Sequence, residues 1–142
     1  MILLLLLQVS GAATFNQYLR EAQERLGISP APLAEIDHGS RVAWVPYGPV
    51  YARSDFLRRG SRGALRITAY HESCHLYLGT NRRLPLQAET DLQHLMIDGC
   101  VEHLLGSDYD SVMSTVPCGP FFPYEVLRYQ RKTRKERCLE KR

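Results

Sequence analysis

The residues of this chain best suited to chemistry form the short run His71-Glu72-Ser73-Cys74-His75. On a helix, His71 and His75 lie one turn apart on the same face, so both imidazoles can reach one Zn²⁺ at about 2.0–2.1 Å. Glu72 is turned by about 100° from His71, where it contacts a water on the metal instead of the metal itself. The spacing therefore predicts one catalytic zinc ion, with Glu72 as general base.

The elements that must position this run follow from apolar spacing and from glycine breaks. Residues 15–28 carry the apolar stripe of an amphipathic helix that ends at Gly27, and residues 41–53 read as two short extended runs around a turn. The histidine run falls on a predicted helix over 61–78, and a second helix is predicted over 86–105. This order predicts a small α+β domain.

The second predicted helix offers further metal ligands. Residues 84–105 contain four carboxylates and no Lys or Arg, whereas an ordinary solvent-exposed face mixes both signs. His94 is followed one turn later by Asp98, whose carboxylate would orient a metal-bound imidazole. Asp91, His94, Asp98 and Glu102 form one stripe along this helix, at i, i+3, i+7 and i+11. An acidic residue at position 91 also suits a helix N-terminus because of the helix dipole.

With its H-E-x-x-H run, the sequence resembles the zincins, a family of zinc metallopeptidases, over roughly residues 41–114. The resemblance implies that a zinc-bound water hydrolyses peptide bonds, with His71 and His75 as ligands and Glu72 as general base. It also implies an edge strand before the active-site helix that binds a peptide or protein substrate, and residues 42–52 are in the right order to supply it.

The branches of this family differ in the third ligand. Glu89-Thr-Asp-Leu-Gln-His-Leu-Met96 resembles the ligand-bearing helix of gluzincins and minigluzincins, which implies Glu89 as the third ligand, with His94 and Asp91 as alternatives. Asp108-Tyr-Asp-Ser-Val-Met-Ser114 resembles the methionine turn of metzincins, which implies that Met113 underlies the metal. The metzincin third histidine is absent, because Asn81 stands at its position.

Length and composition limit the organisation of the chain. Its 142 residues allow one compact domain, and a composition of 44% hydrophobic and 23% charged residues excludes disordered and coiled-coil proteins. The net charge of +3 is uneven, because residues 128–142 carry eight Lys and Arg against two Glu. We therefore expect a signal peptide over 1–13, a zincin-like domain over 14–127 and a basic tail over 128–142.

The apolar run at the N-terminus and the cysteine count bear on location. Residues 1–13 resemble the apolar core and cleavage end of a signal peptide, which predicts a secreted or periplasmic protein, or a cytoplasmic one if the start is miscalled. An exported protein would hold two disulfides among its four cysteines, and Cys74 is expected either as a buried thiol or bridged to Cys100. The other two cysteines are Cys118 and Cys138.

Two other functions fit parts of the sequence. A zincin fold that has lost turnover would act as a zinc-binding module through a protein partner. The basic tail would instead favour a protein that binds nucleic acid or an anionic membrane surface. Nucleic acid is not the expected partner, because the basic run has no aromatic residue after Tyr129 on which bases could stack.

Overall fold

Helices dominate the described part of the chain, with a small sheet between the first and second of them. The computed structural model describes residues 10–39, 43–45, 49–79, 87–119 and 121, and the side chains of residues 44 and 87–91 lie outside this description. The elements in chain order are α1 (Gly11–Leu26), β1 (Leu33–Ile36), β2 (Ala43–Trp44), β3 (Val50–Arg53), α2 (Ser54–Arg59), α3 (Arg62–Leu78), α4 (Gln87–Leu105), a 3₁₀ turn (Gly106–Asp108) and α5 (Tyr109–Ser114).

Helix α1 confirms the amphipathic stripe that its sequence predicts. Phe15, Leu19 and Ala22 are fully buried. The Ser10 hydroxyl accepts a hydrogen bond from the amide of Ala13, which caps the first turn, and Gly27 ends the helix in the left-handed conformation with φ of 67°. The helix begins before the predicted start, because Ser10 supplies the N-cap.

The three strands form one sheet in the order β1-β3-β2. β2 pairs antiparallel with β3, with Ala43 opposite Ala52, so the predicted extended runs do form a hairpin with β2 at the edge of the sheet. β1 pairs parallel with β3, with Leu33 opposite Val50. The sequence analysis did not predict β1 or helix α2. β1 is only four residues long and lacks a clear alternation of buried and exposed positions.

Helix α3 is the central element of the core. Its first turn is capped by the Ser61 hydroxyl, which accepts from the amide of Ala64, and Gly79 ends the helix in the left-handed conformation with φ of 69°. α3 packs against α1, α4, α5 and β2. Ten of its residues are buried, including the motif residues His71 and Glu72, so the predicted chemistry lies on the most enclosed helix of the described chain.

A polar network ties α1 to both helices of the predicted site. The buried Tyr70 hydroxyl donates to Glu21 Oε2 at 3.0 Å, and Arg25 of α1 lies 3.3 Å from the same hydroxyl. Burial raises the pKa of Tyr70, so this hydroxyl stays protonated and acts as a donor. Arg25 also donates to the carbonyl of Leu104 in α4, at 3.1 Å. α1 therefore fixes α3 and the end of α4 relative to each other.

The predicted ends of the chain lie largely outside the described residues. Residues 1–9 and 122–142 are not described, so the signal peptide and the basic tail stay predictions. Gly11 to Ala13, the last residues of the predicted signal peptide, form the first turn of α1. Among the described residues, no helix has the length and apolar character needed to cross a bilayer.

Candidate metal centre

His71 and His75 project from the same face of α3, as their spacing predicts. Their Nε2 atoms are 3.1 Å apart, and their ring centroids are 4.7 Å apart. His71 is buried and His75 is half-buried in the last turn of the helix. Regular helical geometry alone brings the two imidazoles together, because residues four apart stand one above the other.

The third histidine comes from α4. The ring centroid of His94 lies 6.0 Å from that of His71 and 5.7 Å from that of His75. One ring nitrogen from each histidine can be chosen so that all three lie within 4.8 Å of one another. His71, His75 and His94 therefore form a cluster that can hold a metal ion, and we call it the histidine cluster.

Two carboxylates lie next to the histidine cluster in sequence and are buried. Glu72, which follows His71 on α3, is only 4% exposed, and Asp98 of α4 is 8% exposed. Asp98 lies one helical turn after His94. Burial of a carboxylate is costly unless it is compensated, and both carboxylates belong to the two helices that carry the histidine cluster.

The two remaining residues of the motif serve the packing of α3. The Ser73 hydroxyl is fully buried and donates to the carbonyl of Ala69, one turn earlier, at 2.9 Å. Cys74 is fully buried and forms a disulfide with Cys100 of α4, with 6.1 Å between the two Cα atoms. Of the two states expected for Cys74, the structure shows the bridge.

Cys118 is disulfide-bonded as well. Cys138 lies outside the described residues.

Of the three candidates for the third ligand, the structure brings His94 to the pair. The backbone of Glu89 and Asp91 belongs to the first turns of α4, but their side chains lie outside the described residues, so their ligation stays a prediction. A fully solvated face would leave all of its polar side chains exposed, and the described side chains of α4 differ from this. Asp98 is buried and His94 is half-buried, whereas Glu102 is exposed.

Met113 is buried, but it lies in the short helix α5 and not in an open turn. α5 packs against the start of α3, where the carbonyl of Val112 and the side chain of Thr115 approach Gly63. Gly63 precedes His71 by slightly more than two turns, which is about 12 Å along the helix. These contacts concern the start of α3 and not the turn that carries His71. A position of Met113 beneath the metal stays a prediction.

Sequence reasoning missed the network of Tyr70, Glu21 and Arg25 that anchors the two site helices. Its only signal in the sequence is the tyrosine directly before His71. The polar partners come from α1, and no local pattern connects them to the motif.

The donor set of the histidine cluster fits a zinc ion. Two ligands at 2.0–2.1 Å from a tetrahedral ion are about 3.3 Å apart, close to the observed 3.1 Å between His71 Nε2 and His75 Nε2. Three imidazoles also leave one of four tetrahedral positions open, as in catalytic zinc sites. His94 is half-buried, and one of its ring nitrogens lies within 4.8 Å of a ring nitrogen of each of the other two histidines.

Comparisons with protein-family models, with curated proteins and with solved structures found no match for this chain.

Proposed function

We propose that this protein is a zinc-dependent metallopeptidase of zincin type. The observation that carries the proposal is the histidine cluster, formed by two histidines of α3 and one of α4 beside the buried Glu72. The order of elements also supports it, because the edge strand β2 precedes α3 and packs against it. β2 is the edge strand among the described strands, so an extended peptide that pairs with it would run next to α3.

His71, His75 and His94 would hold the metal in this proposal. When bound, zinc would polarise the scissile carbonyl and lower the pKa of a water to about 7. Among the alternatives, His94 is favoured because one of its ring nitrogens lies within 4.8 Å of a ring nitrogen of each of the other two histidines. Glu89 remains a competing ligand. The zinc affinities of the single variants His94→Ala and Glu89→Ala show which of the two residues is the third ligand.

Glu72 would act as the general base. It lies next to His71 on α3 but points about 100° away around the helix axis, so it borders the cluster without belonging to it. Its carboxylate would take a proton from the attacking water and pass it to the leaving amine. Glu72 is nearly inaccessible to bulk solvent, at 4% exposure. This favours transfer of its proton to a bound substrate over exchange of the proton with bulk water.

The test is the substitution Glu72→Gln. We expect it to leave the bound zinc at one per chain and to lower cleavage of a peptide library by about 10²–10⁴-fold, the usual contribution of a general base. The matched control is Glu102→Gln, an exposed glutamate of α4, which should change neither. If the zinc-loaded wild-type protein cleaves no peptide, the enzymatic proposal is wrong.

One observation favours a second candidate, a zinc-binding module that acts through a partner protein. Leu92, Leu95 and Met96 lie on one face of α4 and are 60%, 56% and 50% exposed. Large apolar side chains grouped on a surface often mark a site of protein association. In this case zinc would bind with the same stoichiometry, but both wild-type protein and Glu72→Gln would be without peptidase activity.

We also propose that the protein is exported. The disulfide between Cys74 and Cys100 supports this location, because disulfides persist in oxidising compartments and are rare in the cytosol. Detection of the protein in the periplasm or medium of expressing cells, with and without residues 1–13, would test it.

A further inference from the structure

We propose that the disulfide between Cys74 and Cys100 positions His94, and that the third metal ligand is correctly placed only in the cross-linked chain. The inference rests on the proposed metal site. It makes Cys74 and Cys100 positioning residues, since neither contributes a ligand atom to the histidine cluster.

The cross-link joins the two helices that form the site. Cys74 directly precedes His75 in α3, and Cys100 lies in α4 about 9 Å along the helix from His94. The two Cα atoms are 6.1 Å apart. The bond therefore fixes one point of α4 to the same turn of α3 that carries His75.

The packing of α4 explains why His94 depends on such a link. His71 and His75 are held together by one helix, but His94 reaches them only through the contact between α3 and α4. Among the described side chains of α4, none before Ile97 is buried, and Leu92, Leu95 and Met96 are at least half exposed. The buried apolar side chains of α4 all come later in the helix: Ile97, Val101 and Leu105.

The cross-link lies in the half of α4 that packs on the core, because Cys100 stands between the buried Ile97 and Val101. Without it, only side-chain packing would fix the position of α4 on α3, and a segment with few buried contacts opens at low free-energy cost. His94 precedes Ile97 by less than one turn of the same helix, so a shift of α4 on α3 would move its imidazole away from the other two. Reordering α4 when the metal binds would lower the affinity, and the cross-link removes that cost in advance.

The experiment is a double-mutant cycle on zinc affinity. The cross-link is removed by Cys74→Ser with Cys100→Ser, and His94→Ala is made in both backgrounds. Zinc dissociation constants are measured by competition with a chelating dye, and Co²⁺ absorption spectra report the ligand set. Removal of the cross-link should weaken zinc binding by about tenfold or more, the usual effect of losing a positioning group.

The cycle separates positioning of His94 from general weakening. We expect His94→Ala to weaken zinc binding strongly in the cross-linked chain and only slightly in the chain without the cross-link, because the two changes act through one ligand. His75→Ala should weaken binding in both backgrounds. Equal effects of His94→Ala in the two backgrounds would overturn the inference and leave the proposed function intact.

Val101→Ala is the matched control for stability. Val101 is fully buried in α4, next to Cys100, so its truncation loosens the packing of α4 but keeps the cross-link. We expect this variant to bind zinc as the wild-type chain does. If it weakens binding as much as loss of the disulfide, the effect is one of packing and the inference is wrong.

The cycle requires a folded chain without the cross-link. If the serine variant does not fold by circular dichroism, the same cycle is run with Cys74→Val and Cys100→Ala, which replace the two sulfur atoms by apolar groups. If the wild-type chain binds no zinc at all, the proposed metal site fails, and the inference fails with it.

Discussion

The imidazole of His94 lies against that of His75, with their ring centroids 5.7 Å apart, although the two residues belong to different helices. A metal held by both would therefore link α3 to α4. Since a ligand that binds only the folded state stabilises it, metal binding and the packing of these helices should be coupled.

Removal of zinc should lower the stability of the protein. At a free zinc concentration of 100 times the dissociation constant, the bound metal adds about 2.7 kcal/mol to the free energy of unfolding. The melting temperature, measured with excess zinc and with a chelator, should differ accordingly. A variant with both His71→Ala and His75→Ala should show no difference, and an equal melting temperature of the wild-type chain in both conditions would argue against a zinc site.

Substitution of His94 should weaken zinc binding more than substitution of Glu89. His94→Ala removes one of three clustered ligand atoms, so we expect the dissociation constant to rise by about 10- to 100-fold or more. Glu89→Ala should raise it far less. His103→Ala is the matched control, because His103 is an exposed histidine of the same helix. The opposite ranking would assign the third position to Glu89.

Much of this site follows from local rules that can be read in the sequence. The i, i+4 spacing places His71 and His75 on one face, and glycines at positions 27 and 79 end the helices where expected. The helix predicted over 86–105 is present as α4, Gln87–Leu105. These features depend on helix geometry and capping, and both are encoded within a few neighbouring residues.

The choice among third ligands required the structure. Asp91 and His94 lie one turn apart on α4, and the sequence has no signal for the angle at which α4 crosses α3. That angle is set by contacts between residues far apart in the sequence, and the bond between Cys74 and Cys100, 26 residues apart, is one of them. The strand β1 was missed for a related reason, because it is only four residues long and is defined by its pairing with β3.

Substitution of Tyr70 should destabilise the fold without removing a ligand. Tyr70→Phe deletes the hydroxyl that donates to Glu21 and lies 3.3 Å from Arg25. Loss of such a hydrogen bond in a buried setting costs about 1–3 kcal/mol. Urea unfolding measures it, with Tyr77→Phe as control because Tyr77 is 50% exposed on the same helix. Equal stability of the two variants would contradict the anchoring role.

Charge introduced on the exposed face of α4 should leave the proposed peptidase activity unchanged. Leu95 lies on the apolar face of α4 and is 56% exposed. The test is the substitution Leu95→Lys. We expect stability to change by less than about 0.5 kcal/mol, as for most surface substitutions, and zinc affinity and peptide cleavage to stay at wild-type values. A large loss of cleavage would mean that this face takes part in substrate binding.

X-ray absorption at the zinc edge distinguishes a three-histidine site from one that contains a carboxylate, because it reports the type and number of ligands around the metal. For the zinc-loaded wild-type protein, we expect three imidazole nitrogens and one oxygen ligand, at about 2.0–2.1 Å. In His94→Ala one imidazole should be lost. Two imidazoles with a carboxylate in the wild-type protein, unchanged in His94→Ala, would contradict the three-histidine site.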